Sequence, residues 1–143
     1  MRTYRPFESP DYAAVAANLQ AAGMYDEVWD AKENLQAIAA SSHPLSGVTV
    51  LERDGELVAS VYTIPWGENT AFFFRLCVAT EVRGQGLGSS LLSHVEEKLK
   101  FGGAKEIAAF YDSSNEALAA FYEKLGYGKT PGRSFHCIWK PES

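Results

Sequence analysis

Leu76-Cys77-Val78-Ala79-Thr80-Glu81-Val82-Arg83-Gly84-Gln85-Gly86-Leu87-Gly88-Ser89 joins an apolar, β-rich run to the start of an amphipathic helix. Upstream, Ala71-Phe72-Phe73-Phe74-Arg75-Leu76-Cys77-Val78 reads as a strand. Downstream, Leu87, Leu91, Val95 and Leu99 recur at helical spacing, which predicts a helix from about Gly86 to Phe101, stopped by Gly102-Gly103. A helix start exposes unpaired backbone N–H groups and partial positive charge, and glycines let an anion approach that backbone without a Cβ in the way. Arg83 adds a permanent positive charge. The loop is a candidate phosphate site.

Spacing sorts the ligands such a loop could take. A P-loop needs Lys and then Ser or Thr after its last glycine, whereas Gly88 is followed by Ser89-Ser90. A dinucleotide fold needs G-x-G-x-x-G near the start of a parallel βαβ array, whereas Gly84, Gly86 and Gly88 are spaced two apart and follow antiparallel strands. The pattern that fits is R/Q-x-x-G-x-G/A, met by Arg83, Gly86 and Gly88.

Outward from this loop, Val48 to Leu51 and Leu57 to Ile64 flank Asp54-Gly55, a hairpin signal. Gly67-Glu68-Asn69 turns the chain into the aromatic strand, completing an antiparallel meander. At the N-terminal end, Arg2 to Phe7 alternates as a strand. Ser9-Pro10-Asp11 then offers a cap, a first-turn proline and a first-turn acid for a helix through Ala22. A second helix is expected from about Tyr25 to Ala40, with Val28, Leu35 and Ile38 on its apolar side. After the glycine loop come a strand from Lys105 to Tyr111 and a helix opened by Ser113-Ser114-Asn115-Glu116, a capping-box pattern. A short strand follows from Tyr127 and a last one over Ser134 to Trp139. The expected order is β-α-α-β-β-β-α-β-α-β-β. It describes an α/β (α+β) domain spanning residues 1–143, with a mixed, mainly antiparallel sheet of about six to seven strands flanked by helices on both faces.

With 143 residues, 46% hydrophobic and 22% charged, the chain suits one domain with a shared core. No run approaches the roughly 18 apolar residues of a membrane span, and Met1 to Pro6 lacks a signal-peptide core. The expectation is a cytoplasmic protein without membrane attachment. Cys77 and Cys137 sit in apolar runs without metal spacing, so they read as buried thiols and no metal site is expected. Net charge is −5 with no dense Lys/Arg cluster, which disfavours nucleic acid and mildly favours a cationic substrate. Monomer and homodimer are both left open.

A second, distant motif supports the fitting pattern. Asn115-Glu116-Ala117-Leu118-Ala119-Ala120-Phe121-Tyr122-Glu123-Lys124-Leu125-Gly126-Tyr127 matches N-x-x-A-x-x-F-Y-x-x-x-G-F/Y. Together the two signatures resemble those of the GNAT superfamily of acetyl-CoA-dependent N-acetyltransferases. The motif resemblance covers Leu76 to Tyr127, and the two N-terminal helices match only in layout.

That resemblance implies acetyl-CoA as cofactor and an amine, small-molecule or peptide, as acceptor. It implies that the backbone of Cys77 and Val78 pairs with the pantetheine arm, as an added strand would. The N–H groups of Arg83, Gly84, Gln85, Gly86, Leu87, Gly88 and Ser89 would hold the pyrophosphate. Asn115 matches a position that often bonds the arm, and equally reads as an ordinary first-turn residue. Tyr122 matches the usual general acid, which protonates the coenzyme A thiolate as the tetrahedral intermediate collapses. Its reference pKa of about 10 against about 8.5 for a thiol makes it protonated at neutral pH. The Val78 N–H would meet the oxyanion.

The base that deprotonates the amine is not identified. Phe72-Phe73-Phe74-Arg75 lacks the glutamate that some members carry there. Asp26, Glu27, Asp30, Glu33 and His136 are candidates, the carboxylates reading more readily as a solvated helix face and His136 as a structural group. Arg75 could bind a substrate carboxylate or pair with a neighbouring acid in the sheet. Met24, Tyr25, Trp29 and Trp66 could line an acceptor pocket or belong to the core and its rim. A non-catalytic acyl-CoA sensor on the same fold, and a nucleotide-binding domain, are the rival readings.

Overall fold

The computed structural model describes residues 1–111, 116–128 and 133–137. Six strands pair in chain order, β1 (Arg2–Pro6), β2 (Gly47–Arg53), β3 (Glu56–Trp66), β4 (Thr70–Val78), β5 (Glu106–Tyr111) and β6 (Arg133–Cys137). The first three ladders are antiparallel and the last two parallel, giving an α+β fold with a mixed sheet. The β2–β3 hairpin closes on Asp54 (φ 54°) and Gly55 (φ 84°), two consecutive positive φ values that match the twist of the strands.

Helices α1 (Tyr12–Ala21) and α2 (Lys32–Ala40) lie on one sheet face, and α3 (Leu87–Phe101) and α4 (Glu116–Lys124) on the other. The first core packs Val15, Leu19 and Leu35 on Val48, Val50, Tyr62 and Cys77. The second packs Leu87, Leu91, Leu92, Val95, Leu99 and Tyr122 on Leu51, Val61, Phe73, Ile107 and Ala109. Burying each such side chain contributes about 1.5–3 kcal/mol, which is what holds α3 against the sheet and fixes the direction of its N-terminus. Tyr127 ends the α4 turn inside this second core, where its hydroxyl donates to Glu96 Oε2 of α3.

Several boundaries differ from the sequence expectation. Glu8, not Ser9, caps the first turn, because Asp11 Oδ2 accepts from Glu8 N at 2.7 Å and is itself held by Arg5. The second helix begins at Lys32 rather than Tyr25. Asp26 Oδ1 takes the N–H groups of Val28 and Trp29, each at 2.8 Å, replacing helical bonds with a side-chain turn. Val28, expected on an apolar helix face, is exposed. Tyr127 and Gly128 form a turn, so no strand starts at Tyr127. None of the described helices is long and apolar enough to cross a membrane.

Candidate acyl-CoA site

A cavity of about 600 Å3 opens where β4, the glycine loop and α4 meet. Leu76, Val78, Val82, Arg83, Gly84, Gly86, Leu87, Gly88 and Ser89 line one side, and Ala117, Leu118 and Phe121 the other. Its size suits a small-molecule or cofactor site.

Its origin is a break in strand pairing. β4 and β5 pair only from Thr70/Glu106 to Phe73/Ala109, after which β4 runs on to Val78 without β5 beside it. At that point β4 carries a bulge. Ser60 faces Cys77 and Tyr62 faces Phe74, so Arg75 and Leu76 together stand opposite Val61. Arg75 takes a φ of 59°, left-handed and unusual for a side chain with a Cβ.

The bulge also resets which face each side chain takes. Phe73 belongs to the α3 side and Phe74 to the α1 side; beyond the bulge Leu76 and Val78 are on the α3 side and Cys77 on the α1 side. Cys77 is accordingly buried away from the cavity, and burial pushes its thiol pKa up. Ala79 N donates to Val58 O at 2.8 Å, so Val58/Ala79 is a hydrogen-bonded pair. By antiparallel alternation the neighbouring Ala59/Val78 pair turns its N–H and C=O groups away from each other. The Val78 carbonyl indeed accepts from Arg83 Nε at 3.3 Å, on the cavity side.

Gly86 caps α3 with a φ of 75°, a conformation open to glycine at no steric cost. The first bond of the helix runs from Ser90 N to Gly86 O at 3.0 Å, leaving the N–H groups of Leu87, Gly88 and Ser89 without helical acceptors at the cavity wall. Gly88 keeps that wall low. A Cβ there would come within 3.4 Å of Val78 and 3.8 Å of Leu76 and Phe121, filling the space between loop and helix. Arg83 is exposed and adds its charge to the positive end of α3. Gln85 does not line the cavity; its Oε1 accepts from Arg53 Nη1 at 2.5 Å. Asn115 lies outside the described residues.

Tyr122 lies behind the wall, 3% exposed, with ring contacts to Phe73, Phe121 and Tyr127. Burial raises its pKa to about 12. It sits where β4 and β5 part, one residue from Phe121 of the lining.

The α1 face carries a polar cluster that sequence reasoning did not foresee. Asp30, fully buried, accepts from Arg75 Nη2 at 2.5 Å and Nε at 3.2 Å, from Tyr62 Oη at 2.7 Å and from Asp26 N at 2.9 Å. Arg75 also donates to the Met24 carbonyl. Arg75 therefore pairs with an acid, from the 22–31 segment rather than the sheet. Asp30, enclosed in that pair, is removed from the solvated-face reading and from the free bases. Asp26 holds two backbone N–H groups, which lower its pKa and make it a weaker proton acceptor. Trp29 stacks edge-on against Phe74, and Trp66 is exposed beside Phe72.

A family model described as Acetyltransferase (GNAT) family matches residues 12–127. The ribosomal-protein-S18-alanine N-acetyltransferase of Escherichia coli superposes with a TM-score of 0.73 at 26% identity, covering 88% of this chain and 77% of its own. The PaiA N-acetyltransferase of Thermoplasma acidophilum, solved with coenzyme A, gives 0.73 at 20% identity over 87% and 88%. Glucosamine-6-phosphate N-acetyltransferase of Arabidopsis thaliana gives 0.70 at 17% over 100% and 98%.

Proposed function

The chain belongs to the GNAT acetyltransferase family and is an acetyl-CoA-dependent N-acetyltransferase, and on that premise we propose that it acetylates a primary amine by direct attack, with the β4–α3 cavity as the cofactor slot. The observation that carries this reading is the opening between β4 and β5 beyond Phe73, which ends on the bare N-terminus of α3. The fit is chemical as well as steric. The N–H groups of Leu87, Gly88 and Ser89 with Arg83 suit a pyrophosphate. The outward amide of Val78 suits an amide-bearing arm laid along the strand. Leu76, Val78 and Phe121 suit its methylenes.

Bound there, acetyl-CoA supplies an activated acyl carbon and a thiolate leaving group. The Val78 N–H, fixed by the strand, is a preorganised donor for charge developing on an acyl oxygen. Tyr122 is protonated at neutral pH and holds a proton for the departing sulfur, although burial makes it a weaker acid than a free tyrosine. No side chain needs to form a covalent bond to the acyl group. Cys77, opposite Ser60 at a hydrogen-bonded position by the same alternation, turns its main chain to β3, so the expected pairing with the pantetheine arm falls to Val78 alone. The net charge of −5 draws a cationic amine toward the protein.

A thermal-shift panel of coenzyme A, acetyl-CoA, ATP and NAD tests the slot. Ligand at a hundredfold excess over Kd stabilises by about 2.7 kcal/mol. Stabilisation by the two coenzyme A compounds alone, followed by thiol release on an amine panel, is the expected result. Stabilisation by ATP or NAD alone sinks the reading.

A further inference from the structure

Arg75 is a non-glycine residue at a φ of 59°, and that conformation is disfavoured for any side chain with a Cβ. Such a conformation persists only where the surroundings over-determine it. Here the surroundings are Asp30 and the Met24 carbonyl, both delivered by the 22–31 segment and both gripping the same guanidinium. Asp30 is in turn fixed by Tyr62 of β3, by Asp26 N and, through its own carbonyl, by the Tyr12 hydroxyl of α1 at 2.7 Å. The bulge that this holds is the one that puts Leu76 and Val78 on the cavity side, next to where β4 leaves β5.

We propose that Asp30 is a positioning residue. Through Arg75 it locks the β4 bulge and so sets the geometry of the acyl-CoA slot, although it does not line that slot. The inference rests on the cofactor reading above. Without the lock, β4 has an alternative in which Arg75 returns to the extended region. Val78 then loses the orientation that faces its amide into the slot, and affinity falls by the fraction of molecules that remain competent. The lock also ties the 22–31 segment to the bulge, so displacement of one is felt by the other.

The test measures coenzyme A affinity by calorimetry, well below each variant's melting temperature. Its subjects are wild type, Asp30→Asn and the double variant Asp30→Asn with Arg75→Gly. Asparagine keeps the shape of Asp30 but not its charge. Glycine takes the bulge conformation freely and leaves no guanidinium stranded. Asp30→Asn is expected to weaken binding about tenfold, the scale of the left-handed penalty it releases. The double variant is expected to return to within about threefold of wild type.

Three results overturn the proposal: a folded Asp30→Asn that binds like wild type, a double variant as weak as the single one, or a wild type that does not bind coenzyme A. The third overturns the cofactor reading as well, whereas the first two leave it standing. If Asp30→Asn does not fold, the double variant decides alone: near-wild-type binding supports the lock, and weak binding refutes it.

Discussion

The ring of Tyr122 lies 5.6 Å from that of Phe73, the last β4 residue paired with β5. Helix α4 thus brings the tyrosine to the apex of the opening between the strands, while Phe121 beside it faces the cavity. That placement suits a proton donor for a sulfur carried to the inner end of the slot. Tyr122→Phe keeps the ring and its packing and removes the hydroxyl. The variant is expected to bind coenzyme A with unchanged affinity while kcat falls about 10²-fold, at the lower end of acid catalysis. Full kcat across pH 6–9 in thiol-release assays would refute the assignment.

Burial of the same hydroxyl bears on stability in alkali. Its folded pKa is raised to about 12 from the reference value of 10.0. The unfolded chain therefore loses this proton first as pH rises. The stabilisation is fully present below about pH 10 and disappears by about pH 12, amounting to on the order of 2–3 kcal/mol. The phenol of Tyr62, buried and bonded to Asp30, is shifted in the same direction and adds to the loss. Urea titrations between pH 8 and 11 should show stability falling as pH rises, less steeply in Tyr122→Phe. A slope equal in both proteins would contradict the burial argument.

Much of the slot was legible because its determinants are local. A strand, three spaced glycines and an amphipathic helix occupy one stretch of chain, and Asp54-Gly55 likewise carries its turn in two residues. The bulge was not legible. Nothing near Arg75 in sequence marks a left-handed residue, and the groups that hold it stand 45 and 51 residues away, at Asp30 and Met24. The helix expected over Tyr25 to Ala31 failed for a related reason. Asp26 and Asp30 are compatible with a helix by propensity, but here one folds back onto backbone amides and the other is drawn into the core. Local periodicity cannot register either competitor. The phase of Cys77 and Val78 followed the bulge and was equally hidden.

The buried contact between Tyr127 and Glu96 separates stability from function. Neither residue lines the cavity, and both are buried, at 0% and 6% exposure. Tyr127→Phe removes one donor from a carboxylate held in the α3–sheet core. It is expected to cost about 1–3 kcal/mol in urea denaturation. Coenzyme A affinity should be unchanged at 25 °C. A loss of affinity without a loss of stability would show that the end of α4 contacts the ligand after all.

Gly88 tests how the loop matches its pattern, because that pattern admits either glycine or alanine there. It lies inside α3, where replacing glycine by alanine ordinarily stabilises by about 0.5–1 kcal/mol. The added Cβ would meet Val78 at 3.4 Å and Leu76 and Phe121 at 3.8 Å, ordinary van der Waals contacts with no clash against the protein. Gly88→Ala should therefore melt at the wild-type temperature or above it. The same methyl stands at the cavity wall beside the N–H groups of the first α3 turn. Because the R/Q-x-x-G-x-G/A pattern admits alanine at this position, coenzyme A affinity should stay within about threefold of wild type. Calorimetry on the purified variant measures both halves. A stable variant whose affinity fell by about tenfold or more would contradict the match of this loop to the pattern.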